Sequence, residues 1–211
     1  LDKSAIVLAG GSSTRLNTDK AILELDGITI LNRVIKEVKG LVDEVIIVTN
    51  SEDRCNTYKK LVSPEVKFAV DAYEYQGPLV GAATGFEVAS GEYCLLLPVD
   101  SPFISKEVVS LLFDCCVGKS AAIPRFTNME IEPLHAVYHT LNALDAAKKC
   151  IERGEFEMGA MVDKLRGVRY ISTMVIEQLD PELKTFFNIN TPSDLRKATA
   201  LNKLKEVKRK N

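Results

Sequence analysis

Four short apolar runs, Ala5–Ala9, Glu44–Thr49, Lys67–Val70 and Tyr93–Val99, constrain this chain more than any other feature. Runs of this length bounded by turn residues are expected to be strands buried on both faces of a sheet. Helical spacing fills the gaps. Leu31, Val34, Ile35 and Val38 fall at i, i+3, i+4 and i+7, and further helices are predicted over Glu52–Leu61 and Leu79–Ala89. This alternation predicts a three-layer α/β fold: a mostly parallel, Rossmann-like sheet with helices on both faces. Right-handed crossovers would then gather the active loops at the carboxyl ends of the strands.

Beyond Ser105 the pattern continues as a helix over Lys106–Cys116, strands at Ala121–Pro124 and Leu134–His139, and a helix from about Leu141 to Arg153. A short helix over Glu155–Arg166 and a short strand at Val168–Ile171 are expected to follow. The apolar run Phe186–Ile189 is expected to be a strand feeding a last helix, with Thr191 as N-cap and Pro192 in the first turn. No internal repeat, low-complexity tract or linker interrupts the chain, so residues 1–211 are expected to form a single domain.

Composition removes several function classes. With 46% hydrophobic residues and a net charge of -2, the chain has none of the bias of a disordered segment. No apolar run approaches the ~20 residues of a membrane span. The start, Leu1 to Ile6, is expected to lead straight into a strand with no room for a signal peptide, and an odd number of cysteines fits a reducing, cytoplasmic compartment. Lys plus Arg number 27 against 29 Asp plus Glu, so the basic footprint of a nucleic-acid binder is missing, whereas a nucleotide-sized anion needs only a few local cations. Five cysteines without C-x-x-C spacing argue for buried free thiols rather than disulfides or zinc. The basic tail Lys203, Lys205, Lys208, Arg209 and Lys210 is expected to be a solvated helix end. His135 and His139 are spaced i, i+4, but their neighbours favour a strand, which would hold the rings ~13 Å apart and preclude a shared metal.

Four segments carry chemistry. In Leu8-Ala9-Gly10-Gly11-Ser12-Ser13-Thr14-Arg15-Leu16-Asn17-Thr18-Asp19-Lys20, small residues after a strand let backbone N–H groups converge on an anion, and Arg15 and Lys20 add charge. A tight turn is the bland alternative, and the segment matches neither the dinucleotide fingerprint nor the P-loop. In Pro98-Val99-Asp100-Ser101-Pro102-Phe103, a carboxylate ends an apolar strand beside that loop. A carboxylate close to phosphates calls for a bridging cation, and Mg²⁺ is the economical choice. Its rival role, capping the next helix, suits Ser105 better. The third segment runs from Asp71 at a strand end to Gly77-Pro78-Leu79-Val80-Gly81 at a helix start. The fourth, Asn188-Ile189-Asn190-Thr191-Pro192, would point both amides to one side of a strand end, unless the asparagines merely shape the turn.

Together these segments resemble the molybdenum cofactor guanylyltransferase (MobA) family, whose pattern runs L-A-G-G-x-S-x-R-M-G-x-D-K, G-P-L-x-G, D-x-P-F and N-x-N-T-P-x-D-L. Here these read Leu8–Lys20, Gly77–Gly81, Asp100–Phe103 and Asn188–Leu195, in the family's order. Glu132-Pro133-Leu134-His135-Ala136-Val137-Tyr138 is similar to its P-L-x-A-x-Y segment. The chain departs from the pattern at Leu16-Asn17, where the family often has M-G; asparagine is the next most tolerant residue for a left-handed backbone.

The resemblance implies a nucleotide-diphospho-sugar transferase-like fold that transfers GMP from GTP to the terminal phosphate of the molybdenum-pterin cofactor, releasing pyrophosphate with Mg²⁺. It implies GTP and the molybdenum-pterin cofactor as substrates, cofactor-delivery proteins as candidate partners, and neither nucleic acid nor membrane. By similarity Lys20 and Arg15 face the triphosphate, and Asp100 holds the metal. Leu8, Ala9, Gly10, Gly11, Asn50, Asp71, Gly77 and Pro78 join Lys20 and Asp100 around GTP, and Asn188 and Asn190 face the pterin acceptor. The competing possibilities are a nucleotidyltransferase that uses CTP or a sugar-phosphate acceptor, and a non-catalytic nucleotide-binding module.

Overall fold

A computed structural model describes residues 2–11, 18–71, 73, 75 and 77–210, with side chains described as far as residue 203. In chain order the elements begin with β1 (Lys3–Leu8), β2 (Glu24–Leu25), β3 (Ile28–Thr29), α1 (Ile30–Val38), β4 (Glu44–Thr49) and α2 (Glu52–Lys59). Then come β5 (Lys67–Val70), α3 (Pro78–Val88), β6 (Tyr93–Pro98), α4 (Lys106–Cys116), β7 (Ala121–Arg125) and β8 (Ala136–His139). The chain continues with α5 (Thr140–Glu152), α6 (Met158–Lys164), β9 (Val168–Ser172), α7 (Thr173–Ile176) and α8 (Pro192–Lys210).

Seven strands form one sheet in the order β5-β4-β1-β6-β8-β7-β9. β1 pairs in parallel with both β4 and β6, so the chain leaves β1 toward β4 and later returns to its other side. That reversal opens a crevice at the carboxyl ends of β1 and β6, where open sheets bind ligands. β8 runs antiparallel to both β6 and β7, while β7 and β9 are parallel. The sheet is therefore mixed but mostly parallel, and it is covered on both faces.

Side-chain alternation separates the two cores. Ala5, Val7, Ile47, Leu95 and Leu97 face α1, α4 and α8, whereas Ile6, Ile46, Val48, Cys94 and Leu96 face α3, α5 and α6. α3 lies very close to the sheet: a Cβ on Gly85 would stand 2.4 Å from Ile6 Cγ2. Helix starts follow the capping expectation. Ser105 Oγ accepts from Val108 N (3.3 Å) and Thr191 Oγ1 from Asp194 N (3.2 Å), while the Asp194 carboxylate accepts from Thr191 N (2.9 Å). Cys55, Cys94, Cys116 and Cys150 are buried free thiols; Cys115 is only half-buried. No described helix is long and apolar enough to cross a membrane.

Some expectations fail for identifiable reasons. β5 is an edge strand with Lys67 exposed, so it is not buried on both faces. Phe186–Ile189 is not a strand. Lys184–Phe186 closes a 3-10 turn, and the two phenylalanine rings pack against Phe103 and Phe126 instead of entering the sheet. The strand expected from Leu134 begins at Ala136, which leaves His135 in the loop before it. The β2–β3 hairpin, closed by Asp26 and Gly27 at positive φ, was not anticipated; it is a two-residue turn between two-residue strands.

Candidate active site

Four parallel strand ends define the floor of the site. Ala9 N donates to Val48 O (2.8 Å), Val99 N to Leu8 O (3.0 Å) and Asp71 N to Thr49 O (2.8 Å), so Leu8–Gly11, Asn50, Asp71 and Asp100 leave the sheet along one edge. At Gly10 the chain passes so near β4 that a Cβ would stand 3.2 Å from Asn50 Cβ and 3.3 Å from Asn50 N. Gly11 faces open space. The Asp71 carboxylate accepts from Tyr73 N (3.0 Å), and burial pushes its carboxyl up from the ordinary aspartate range. Opposite, Gly77 and Pro78 begin α3, so the positive end of that helix borders the same space. These residues, with Lys20 and Asp100, line a cleft of about 420 Å³.

The charged centre of the cleft is a pair. Lys20 Nζ lies 2.7 Å from Asp100 Oδ2 and 2.5 Å from Asn190 Oδ1; the Lys20 and Asp100 side chains are 18% and 14% exposed. The second carboxylate oxygen, Asp100 Oδ1, is buried and has no hydrogen-bond partner. Among the described residues no group of three or more His, Cys, Asp or Glu side chains could cage a metal. An unsatisfied carboxylate oxygen on a residue that lines a phosphate-sized cleft nonetheless fits Mg²⁺, which is commonly held by one or two carboxylates plus substrate phosphates and water.

Lys20 is aimed from behind. Asp19 Oδ1 accepts from Ala21 N (3.0 Å) and so caps the turn that carries Lys20. Asp19 Oδ2 accepts from the buried Tyr58 hydroxyl (2.6 Å), and Arg54 Nε lies 3.9 Å away. Burial and the Asp19 carboxylate push the Tyr58 hydroxyl well above its ordinary value. Arg54 also donates to Gly11 O (3.1 Å), so α2 holds both Gly11 and Asp19. Sequence reasoning missed Arg54 and Tyr58, because neither belongs to a motif and both act across the fold. Arg15, assigned to the triphosphate from sequence, lies with Ser12–Asn17 outside the described residues.

Asn188 and Asn190 do reach the Asp100 edge, although not from a strand. Ile189 N donates to Asp100 O (3.0 Å), and this one backbone bond brings the segment in. Asn190 then meets Lys20, while Asn188 Oδ1 accepts from the Ser101 hydroxyl (2.6 Å). Ser101 is fully buried and also lies 2.8 Å from Nε2 of the buried His135. The two histidines have separate partners: His135 joins this network, and His139 Nδ1 caps α5, accepting from Asn142 N (3.4 Å).

This cleft has the size and the charged groups to hold a nucleotide's phosphates. The MobA-like NTP transferase domain matches residues 5–166. A protein of Methanosarcina mazei described as "Probable molybdenum cofactor guanylyltransferase" is 39% identical over 202 residues, covering 92% of this chain and 88% of its own. The molybdenum cofactor guanylyltransferase of Desulfosudis oleivorans is 32% identical over 198 residues, covering 93% of this chain and 94% of its own. The crystal structure of molybdopterin-guanine dinucleotide biosynthesis protein A from Archaeoglobus fulgidus superposes with a TM-score of 0.81 at 26% identity, covering 95% of this chain and 98% of that one. A cytidylyltransferase of Thermus thermophilus, at 18% identity and a TM-score of 0.68, shares the fold. With its glycine loop, its Lys20–Asp100 pair and this full-length similarity, the chain belongs to the MobA-like NTP transferase family and, within it, to the molybdenum cofactor guanylyltransferases.

Proposed function

We propose that the chain transfers GMP from GTP to the terminal phosphate of the molybdenum-pterin cofactor and releases pyrophosphate. The observation that carries this reading is the Lys20–Asp100 pair, joined at 2.7 Å at the carboxyl end of the strands beside Gly10 and Gly11. The acceptor phosphate is already largely ionised at neutral pH, with a second pKa of ~6, so no general base is required. The protein's task is alignment and charge compensation around the α-phosphate.

In this reading Leu8, Ala9, Gly10, Asn50 and Asp71 receive the guanosine, and Gly11, Gly77 and Pro78 frame the phosphates with backbone. Lys20 exchanges its carboxylate and amide partners for triphosphate oxygens, and Arg15 is assigned to the same phosphates by its place in the family's motif. Mg²⁺ would be held by Asp100 through Oδ1, where it would neutralise charge on the phosphates as pyrophosphate leaves. Asn188 and Asn190 present amides to the acceptor. A thermal-shift panel of GTP, CTP, UTP and ATP with Mg²⁺ tests the base assignment. GTP at ~100 times its Kd should add ~2.7 kcal/mol of stability, and CTP clearly less at the same concentration. Equal or greater stabilisation by CTP would overturn the guanylyl assignment.

A further inference from the structure

We propose that His135 is a positioning residue: through Ser101 it holds Asn188 by its carbonyl oxygen and leaves the amide NH₂ for ligand at the Asp100 edge, so that Asn188 binds a phosphate oxygen of the acceptor rather than a ring N–H of its pterin. The proposal rests on the reading of Asn188 as an acceptor-side residue and deepens it by naming the acceptor atom.

The argument is one of hydrogen counting. The Ser101 hydroxyl owns a single hydrogen, which it donates to Asn188 Oδ1 at 2.6 Å. Its 2.8 Å contact with His135 Nε2 therefore has the ring as donor. The other ring nitrogen agrees with this tautomer. Nδ1 is buried with no hydrogen-bond partner. The nearest carboxylate oxygen, Glu132 Oε1, is 3.6 Å away and already accepts from Leu134 N (3.3 Å). A proton on Nδ1 alone would be a buried donor without a proper acceptor, whereas on Nε2 it has Ser101. Phe186 meets the His135 ring edge-on, with centroids 5.4 Å apart, and fixes the ring plane.

The wire thus runs in one direction: His135 Nε2–H to Ser101 Oγ, and Ser101 O–H to Asn188 Oδ1. Oδ1 keeps a second lone pair but is held against Ser101 in the protein interior, so the NH₂ is the end of the Asn188 amide left for ligand. That group donates and cannot accept, so it suits an anionic oxygen. The opposite tautomer would reverse each bond, turn the amide over, and offer the cleft a carbonyl suited to a pterin N–H. Ser101 adjoins Asp100, so the selected phosphate oxygen would lie on the metal-binding side of the site.

The chain has only two histidines, which makes the tautomer directly observable. In protein carrying ¹⁵N-histidine, long-range proton–nitrogen NMR is expected to find a proton on His135 Nε2. The His139→Asn variant, which keeps an N-cap for α5, identifies the His135 signals. A bare Nε2 with the proton on Nδ1 would overturn the proposal without any variant of the network having to fold.

The kinetic arm uses steady-state turnover with GTP and the molybdenum-pterin acceptor. Ser101→Ala and His135→Leu should raise the KM for acceptor about ten- to a hundredfold and leave the KM for GTP within about twofold. His135→Gln, which can keep an N–H near the Nε2 position, should restore most of the loss. Equal effects on both substrates, or none on the acceptor, would overturn it. Asn188→Ala separates the two levels. If it leaves the acceptor KM unchanged, the acceptor role of Asn188 fails and this proposal falls with it. If it raises the acceptor KM while Ser101→Ala does not, only the positioning role of His135 fails.

Discussion

Replacing Asp100 with alanine removes two opposing contributions to stability and one essential to activity. The ion pair with Lys20 is mostly buried, so breaking it should cost ~1–3 kcal/mol, between the ~0.2–1 kcal/mol of exposed pairs and the ~3–5 kcal/mol of buried ones. Deleting the carboxylate also removes Oδ1, a buried acceptor without a partner, whose desolvation costs the wild type ~1–3 kcal/mol. Lys20 keeps Asn190 Oδ1 as a partner. The stability terms nearly cancel, leaving a net change of ~1 kcal/mol or less, or about 2–4 °C in Tm for a chain of this size. The lost electrostatic contact in the transition state should lower kcat at least ~100-fold. Calorimetry without nucleotide, run beside a pyrophosphate-release assay, measures both quantities on one preparation. A Tm drop beyond ~8 °C would show that the cancellation is wrong. Turnover within tenfold of wild type, with Mg²⁺ dependence intact, would refute the metal role.

Two more perturbations probe other parts of the account. The double change Asn188→Ala and Asn190→Ala should weaken acceptor affinity ~100-fold or more while GTP affinity stays nearly unchanged, as read by titration with each ligand; a loss of Tm with acceptor affinity intact would make both asparagines structural. Burial pushes the Glu44 carboxyl up, but Lys67 and hydrogen bonds from Ser4 and Ser90 outweigh it and take the pKa from its ordinary 4.5 down to about 2. Glu44 therefore contributes stability that is present above pH ~4.5 and lost as pH falls toward 2, and Tm–pH curves should show Glu44→Gln closing on wild type over that window; parallel curves would contradict the assignment.

Local signals made much of this fold legible. β4 and α4 have the bounds expected from sequence, because an unbroken apolar run marks one and the Ser105 cap starts the other. Glycine after β1 and a carboxylate after β6 placed the cleft, since strand ends in a parallel sheet share an edge. Pairing order was not written locally. Nothing in Ala136–His139 says that it inserts antiparallel between β6 and β7, and nothing in Lys67–Val70 says that it lies at the sheet edge. Asn188 and Asn190 were placed correctly at the Asp100 edge but on the wrong backbone, because Phe186 and Phe187 look like strand residues and are used as ring-packing residues. His135 could be found only in three dimensions: its serine partner is 34 residues away, and no spacing rule relates the two.

The most direct measurement is product formation. Purified protein with Mg²⁺, α-phosphate-labelled GTP and the molybdenum-pterin cofactor should place the label in a guanine dinucleotide and release one pyrophosphate for each acceptor consumed. Omitting the acceptor should stop pyrophosphate release, and substituting CTP should slow it at least ~10-fold, the ratio set by ~1.4 kcal/mol of discrimination. Label that stays in GTP, or that moves faster from CTP, would contradict the account.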